Sequence, residues 1–118
     1  MAELTFNEYQ RLARRTQNNK LKTIEKRYHA LHGMSAEVGE IHGIYQKNYQ
    51  GHIFNPAELL KEVGDLLWMI AEFCDSYGIT MEDVANMNID KLEKRYPEGF
   101  DVGRSLNRDE FEVYGEDC

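Results

Sequence analysis

The segment Asn55-Pro56-Ala57-Glu58-Leu59-Leu60-Lys61-Glu62-Val63-Gly64-Asp65-Leu66-Leu67-Trp68-Met69-Ile70-Ala71-Glu72-Phe73-Cys74-Asp75-Ser76-Tyr77-Gly78 decides how the chain folds. Its start is marked twice: Asn55 is an N-cap residue type, and Pro56 stands at the first helical position, where its missing N–H is no loss. Its end is marked by Gly78, the residue type that closes helices in the left-handed conformation. Between them Leu59, Leu60, Val63, Leu66, Leu67, Ile70 and Phe73 recur at helical spacing, which predicts one long helix that buries them. Trp68 falls on the opposite side of the wheel, beside Gly64 and Ala71. A large aromatic among small residues predicts a second buried face, covered by another subunit; the alternative cover is the C-terminal arm.

The remaining segments read the same way. Thr5-Phe6-Asn7-Glu8 has capping-box form, and Phe6, Tyr9, Leu12 and Ala13 carry a first helix to about Thr16. After a break at Gln17-Asn18-Asn19, a second helix is predicted from about Leu21 to Tyr49, with an interruption allowed at Gly33. Its apolar face carries Leu31, Met34, Val38, Ile41 and Tyr45. Thr80 is the expected cap of a fourth helix that Pro97 ends. From residue 98 to 118 the periodicity is lost, and an irregular arm with at most one short turn or strand is expected. No segment alternates as a strand does, so the predicted class is all-α: four helices and an arm in a single domain, residues 1–118, with the helical core at about 4–97.

The chain of 118 residues carries 21 acidic against 14 basic side chains, a formal net charge of −7. That balance gives no general attraction to nucleic acid or to anionic membranes. An anionic substrate would need a cation or a local basic cluster as intermediary. Cys74 lies in an apolar run and Cys118 at the C-terminus, which suggests no disulfide framework and fits a reducing cytoplasm. The longest apolar run, Leu66 to Ile70, is far too short to span a membrane.

Two tetrapeptides nearly repeat: Glu37-Val38-Gly39-Glu40 and Glu62-Val63-Gly64-Asp65. In each the acids are three apart, so both carboxylates leave one side of a helix. In so acidic a chain such a pair arises by chance at roughly 3% of positions, and one alone means a solvated face. Two pairs in the most apolar helices, each at the edge of the apolar stripe and each with Gly in the same slot, mean more. A mid-helix Gly costs about 1 kcal/mol against Ala, which suggests close backbone approach there, to the other helix or to a partner subunit. If the helices are antiparallel, the pairs meet across the seam. Four converging carboxylates repel unless a cation lies among them. Oxygen-only donors suit Mg²⁺, with Mn²⁺ a possible substitute, and disfavour zinc. A di-iron centre would need Glu-x-x-His, which the sequence lacks. The histidines, His29, His32, His42 and His52, have no metal spacing around the acids and read as core-edge or surface residues.

Glu-x-x-Glu, 21 residues, then Glu-x-x-Asp resembles the signature of MazG-like nucleoside triphosphate pyrophosphohydrolases. The resemblance extends over Tyr9-Gln10, Thr16, Glu62 to Trp68, Asn88-Ile89-Asp90-Lys91-Leu92, and Arg95-Tyr96-Pro97-Glu98-Gly99-Phe100. The tail Ser105-Leu106-Asn107-Arg108 is similar to that of short, single-domain members. What the resemblance implies is Mg²⁺-dependent hydrolysis of a (deoxy)nucleoside triphosphate between the α- and β-phosphates, giving monophosphate and pyrophosphate. Glu37, Glu40, Glu62 and Asp65 would hold the metal and carry the catalysis, with Glu37 or Glu40 helping to deprotonate the attacking water. Lys47 is the first candidate to catch pyrophosphate, followed by Lys91 and Arg95; Asn88 would contact base, sugar or phosphate. Arg104 and Arg108 would close over the phosphates. A cytoplasmic homo-oligomer is expected, a tetramer before a dimer. The alternatives are a non-catalytic, metal-binding adaptor of the same fold, and a relative acting on dUTP or phosphoribosyl-ATP. No local motif names the base or the sugar.

Overall fold

A computed structural model describes residues 2–107. The chain falls into two compact units, Met1–Met81 and Glu82–Cys118.

The first unit holds α1 (Phe6–Ala13), a 3-10 turn (Arg14–Thr16), α2 (Thr23–Tyr49) and α3 (Pro56–Ser76). The caps form where the sequence places them. The Thr5 side chain accepts from the Glu8 amide at 3.1 Å, and Asn55 accepts from the Ala57 amide at 3.0 Å. Gly78 takes φ +68° beyond α3. Glu8 does not complete a capping box; its carboxylate turns to Arg11 instead.

The second helix is not interrupted at Gly33. It runs antiparallel to α3, and Gly33 is packed against that helix: a Cβ there would lie 2.3 Å from the Met69 sulfur. Met69 belongs to a row, Glu62, Asp65, Met69, Glu72 and Ser76, spaced alternately three and four residues apart, the spacing of a helix–helix seam. Arg27 meets this row from α2, its guanidinium donating to the Ser76 carbonyl at 2.8 Å. Thus α3 turns its acids into the seam and leaves Leu60 and Val63 66% and 44% exposed, against the expectation that both are buried.

At Gly39 and Gly64, by contrast, nothing among the described residues lies within 4 Å of a built Cβ, so of the two expected close approaches the one to the neighbouring helix does not explain them. Gly64→Ala is therefore expected to stabilise the protomer by up to about 1 kcal/mol through helix propensity alone. Gly33→Ala gains the same propensity but must displace Met69, an overpacking that costs roughly 1–3 kcal/mol. Urea unfolding at low protein concentration should rank Gly64→Ala above Gly33→Ala.

The other side of α3 is covered by α1. Gln10, 2% exposed, donates to Asp75 at 2.8 Å and to the Ile79 carbonyl at 3.1 Å, and accepts from the Met81 amide at 2.7 Å. The Trp68 indole donates to Thr16 Oγ1 at 2.8 Å and to the Ala13 carbonyl at 3.2 Å. Within the first unit, the N-terminal helix and its 3-10 turn meet this second face of α3 at Trp68.

The second unit contains the rest of α4 (Met81–Arg95), which starts after Thr80, and α5 (Val102–Leu106). Part of the arm is thus a short helix, capped by Asp101, which accepts from the Arg104 amide at 2.9 Å. The Arg104 guanidinium donates to the carbonyls of Lys94 and Arg95 at the end of α4, groups a helix terminus leaves without internal partners. Arg108 lies outside the described residues. No described helix is long and apolar enough to cross a membrane.

Candidate metal centre

The register that sets Gly33 against Met69 brings Glu37 opposite Glu62 and Asp65. One carboxylate oxygen from each lies within 4.8 Å of the other two. Glu37 and Glu62 are half-buried and Asp65 is exposed, so the cluster opens to solvent at the Asp65 side. Glu37 Oε2 is buried and has no hydrogen-bond partner among the described residues. An orphaned carboxylate oxygen inside an acidic cluster is an unmet demand for a proton or a cation.

The electrostatics agree. Burial first, then a hydrogen bond shared with Glu62, then repulsion by Asp65, Glu62 and Glu40, hold the Glu37 carboxyl above the ordinary glutamate value of 4.5. Glu40 is exposed and stands outside the converging triad, although its charge reaches Glu37. Burial and the charge of Asp65 also raise the Tyr9 phenol, so α1 borders the cluster. The donors are all hard oxygens on two rigid helices, which fits a divalent cation of the Mg²⁺ or Mn²⁺ kind.

Four predicted residues remain. Lys47 is exposed on α2, seven residues past Glu40, about 10 Å along the axis. Asn88, Lys91 and Arg95 lie on α4 in the second unit; the first two are exposed, and the Arg95 guanidinium stands 5.9 Å from the Tyr96 ring centroid.

One polar pair was missed from the sequence. Glu72 is 0% exposed, and His29 Nδ1 pairs with its Oε1 across the α2–α3 seam. The other oxygen, Oε2, has no hydrogen-bond partner among the described residues. The available signal was Glu72 itself, an acid inside the otherwise apolar run Leu66–Cys74 and seven residues after Asp65, hence on the same face.

The model of the MazG nucleotide pyrophosphohydrolase domain matches residues 2–100. The chain is also similar to an uncharacterized protein of Bacillus subtilis (strain 168), YvdC, with 44% identity over 39 residues. That match spans 33% of this chain and 37% of the relative. No solved structure matches the chain.

Proposed function

The chain belongs to the MazG nucleotide pyrophosphohydrolase family, and from that premise we propose that it hydrolyses (deoxy)nucleoside triphosphates between the α- and β-phosphates with Mg²⁺, releasing monophosphate and pyrophosphate. The observation that carries this is the cluster of Glu37, Glu62 and Asp65 within 4.8 Å, with one buried oxygen lacking a partner. When bound there, the cation neutralises the polyphosphate that an acidic chain would otherwise repel and makes its phosphorus more electrophilic. Glu62 and Asp65, from one turn of α3, and Glu37 and Glu40, from one turn of α2, fix its position. Glu37 or Glu40 would take the proton from the attacking water, and exposed Glu40 would complete the ligand set. Lys47, Asn88, Lys91 and Arg95 contact the substrate.

The protein acts in the cytoplasm as a homo-oligomer, a tetramer before a dimer. Its support is the exposed apolar side of the helix pair, Leu31, Val38 and Tyr45 on α2 and Leu60 and Val63 on α3, with open space at Gly39 and Gly64. Such a patch marks an interaction site on a protein of this size.

A panel of ribo- and deoxyribonucleoside triphosphates with Mg²⁺ tests the activity. At least one is expected to yield monophosphate and pyrophosphate in equal amounts. No product from any of them, with the fold intact and cation bound, leaves the adaptor reading; release of orthophosphate alone leaves a phosphatase.

A further inference from the structure

Glu72 is a carboxylate with no solvent exposure, held in a helix seam by one imidazole. Burying a carboxylate is unfavourable, and apolar side chains of similar volume commonly serve a seam at least as well as an ion pair. What Glu72 supplies is orientation. With Nδ1 committed to the carboxylate, Nε2 is the free end of a His29 side chain that is 49% exposed.

The pair shares the side of the seam on which Asp65 lies: Glu72 and Asp65 are seven residues apart on α3, about 20° round the helix, while on α2 His29 lies about 20° from Glu40 and about 80° from Glu37. Along the seam His29 lies eight residues before Glu37, about 12 Å. Lys47 lies ten residues after Glu37, so the two cationic candidates stand at opposite ends, about 27 Å apart, and cannot hold one pyrophosphate between them.

Charge separates the two ends. Residues 11–27 contain Arg11, Arg14, Arg15, Lys20, Lys22, Lys26 and Arg27, seven of the fourteen basic residues, and one acid, Glu25. Arg14 is tied to Asp75, Lys26 to Gln17 and Arg27 to Ser76, so they supply potential more than direct contacts. That potential favours the anionic end of a ligand at the His29 side.

We propose that the polyphosphate lies along the seam toward His29, whose Nε2–H binds the departing pyrophosphate, with Glu72 as its positioning residue and Lys47 at the nucleoside end. This rests on the hydrolysis reading above. Water adds to the α-phosphorus and gives its proton to a carboxylate. The α–β P–O bond breaks with its electron pair on the pyrophosphate, which accepts a hydrogen bond from Nε2.

Product inhibition of the best-turned-over nucleotide tests the assignment. His29→Gln is expected to weaken inhibition by magnesium pyrophosphate at least tenfold and leave inhibition by the monophosphate within twofold; Lys47→Gln should do the reverse. Glu72→Gln should follow His29→Gln with a smaller effect. Pyrophosphate inhibition unchanged in His29→Gln, or a pattern exchanged between the two positions, overturns the proposal. Should the variants fail to fold, ¹⁵N-histidine spectra of the unaltered protein decide. The His29 Nε2 resonance should move with magnesium pyrophosphate and not with monophosphate; no movement overturns it. A chain that turns over no triphosphate yet shows that movement keeps the pyrophosphate site and loses the hydrolysis.

Discussion

Glu62→Gln is expected to abolish turnover, by at least about a thousandfold, while helix content stays as it is. A thousandfold corresponds to about 4 kcal/mol of lost transition-state stabilisation. Glu62 is one of the three converging carboxylates and a neighbour of Glu37, so under the proposed function the substitution removes a donor and changes the surroundings of another. Asp65→Asn should act in the same direction. The fold does not suffer, because a carboxylate crowded by like charges repels more than it holds. Without cation, Glu62→Gln should be at least as stable as the parent chain. It should lose the stabilisation that added Mg²⁺ gives the parent, about 2.7 kcal/mol at a hundred times the dissociation constant. Thermal unfolding with and without Mg²⁺ reads both effects; a variant with near-full activity takes Glu62 out of the site.

The same cluster sets a pH dependence whose sign is fixed. Glu37 has its pKa raised on folding, so the folded chain binds its proton more tightly than the unfolded one. The stability linked to it is complete below the ordinary value of 4.5 and is lost as pH rises through the raised folded value. Saturating Mg²⁺ should abolish that loss.

Asp75→Ala is expected to produce the largest loss of stability, about 3 kcal/mol, the lower end of what breaking a buried pair costs, since Arg14 is half exposed. One carboxylate here receives Gln17 at 2.7 Å, Arg14 at 2.8 Å and the buried Gln10 at 2.8 Å. Removing it takes an acceptor from three donors at once and weakens the hold of α1 on α3. Against a total of roughly 5–15 kcal/mol for a small domain, that is a large share. The urea midpoint should fall with little change in slope. Burial alone would raise the Asp75 pKa, but the hydrogen bonds from Arg14, Gln17 and Gln10 outweigh it and hold the carboxyl below its ordinary 3.8. Its contribution is therefore present above that value and lost as pH falls through the folded one. Asp75 and Glu37 thus change stability in opposite directions and in different windows.

Residues that act locally were legible in the sequence. The Asn55 cap, the Pro56 start and the Gly78 stop depend on neighbours one to four residues away, and each forms as read. The pairing of the acidic tetrapeptides needed only an antiparallel register, which the structure supplies. What failed depended on which face of a helix meets which neighbour. Periodicity says that α3 has an apolar stripe but not that its acids would take the seam and leave Val63 half exposed. It says that Trp68 is covered but not that α1 covers it. Gly33 left room for an interruption because propensity was weighed without Met69, the contact that favours a residue lacking a Cβ. The His29–Glu72 pair spans 43 residues, and no local spacing encodes it.

The central claim is that water attacks the α-phosphorus of a nucleoside triphosphate at the acidic seam between α2 and α3. It is tested most directly by turnover in ¹⁸O-labelled water with Mg²⁺. One label is expected in the nucleoside monophosphate and none in the pyrophosphate. Label in the pyrophosphate, or orthophosphate released with a nucleoside diphosphate, would contradict it.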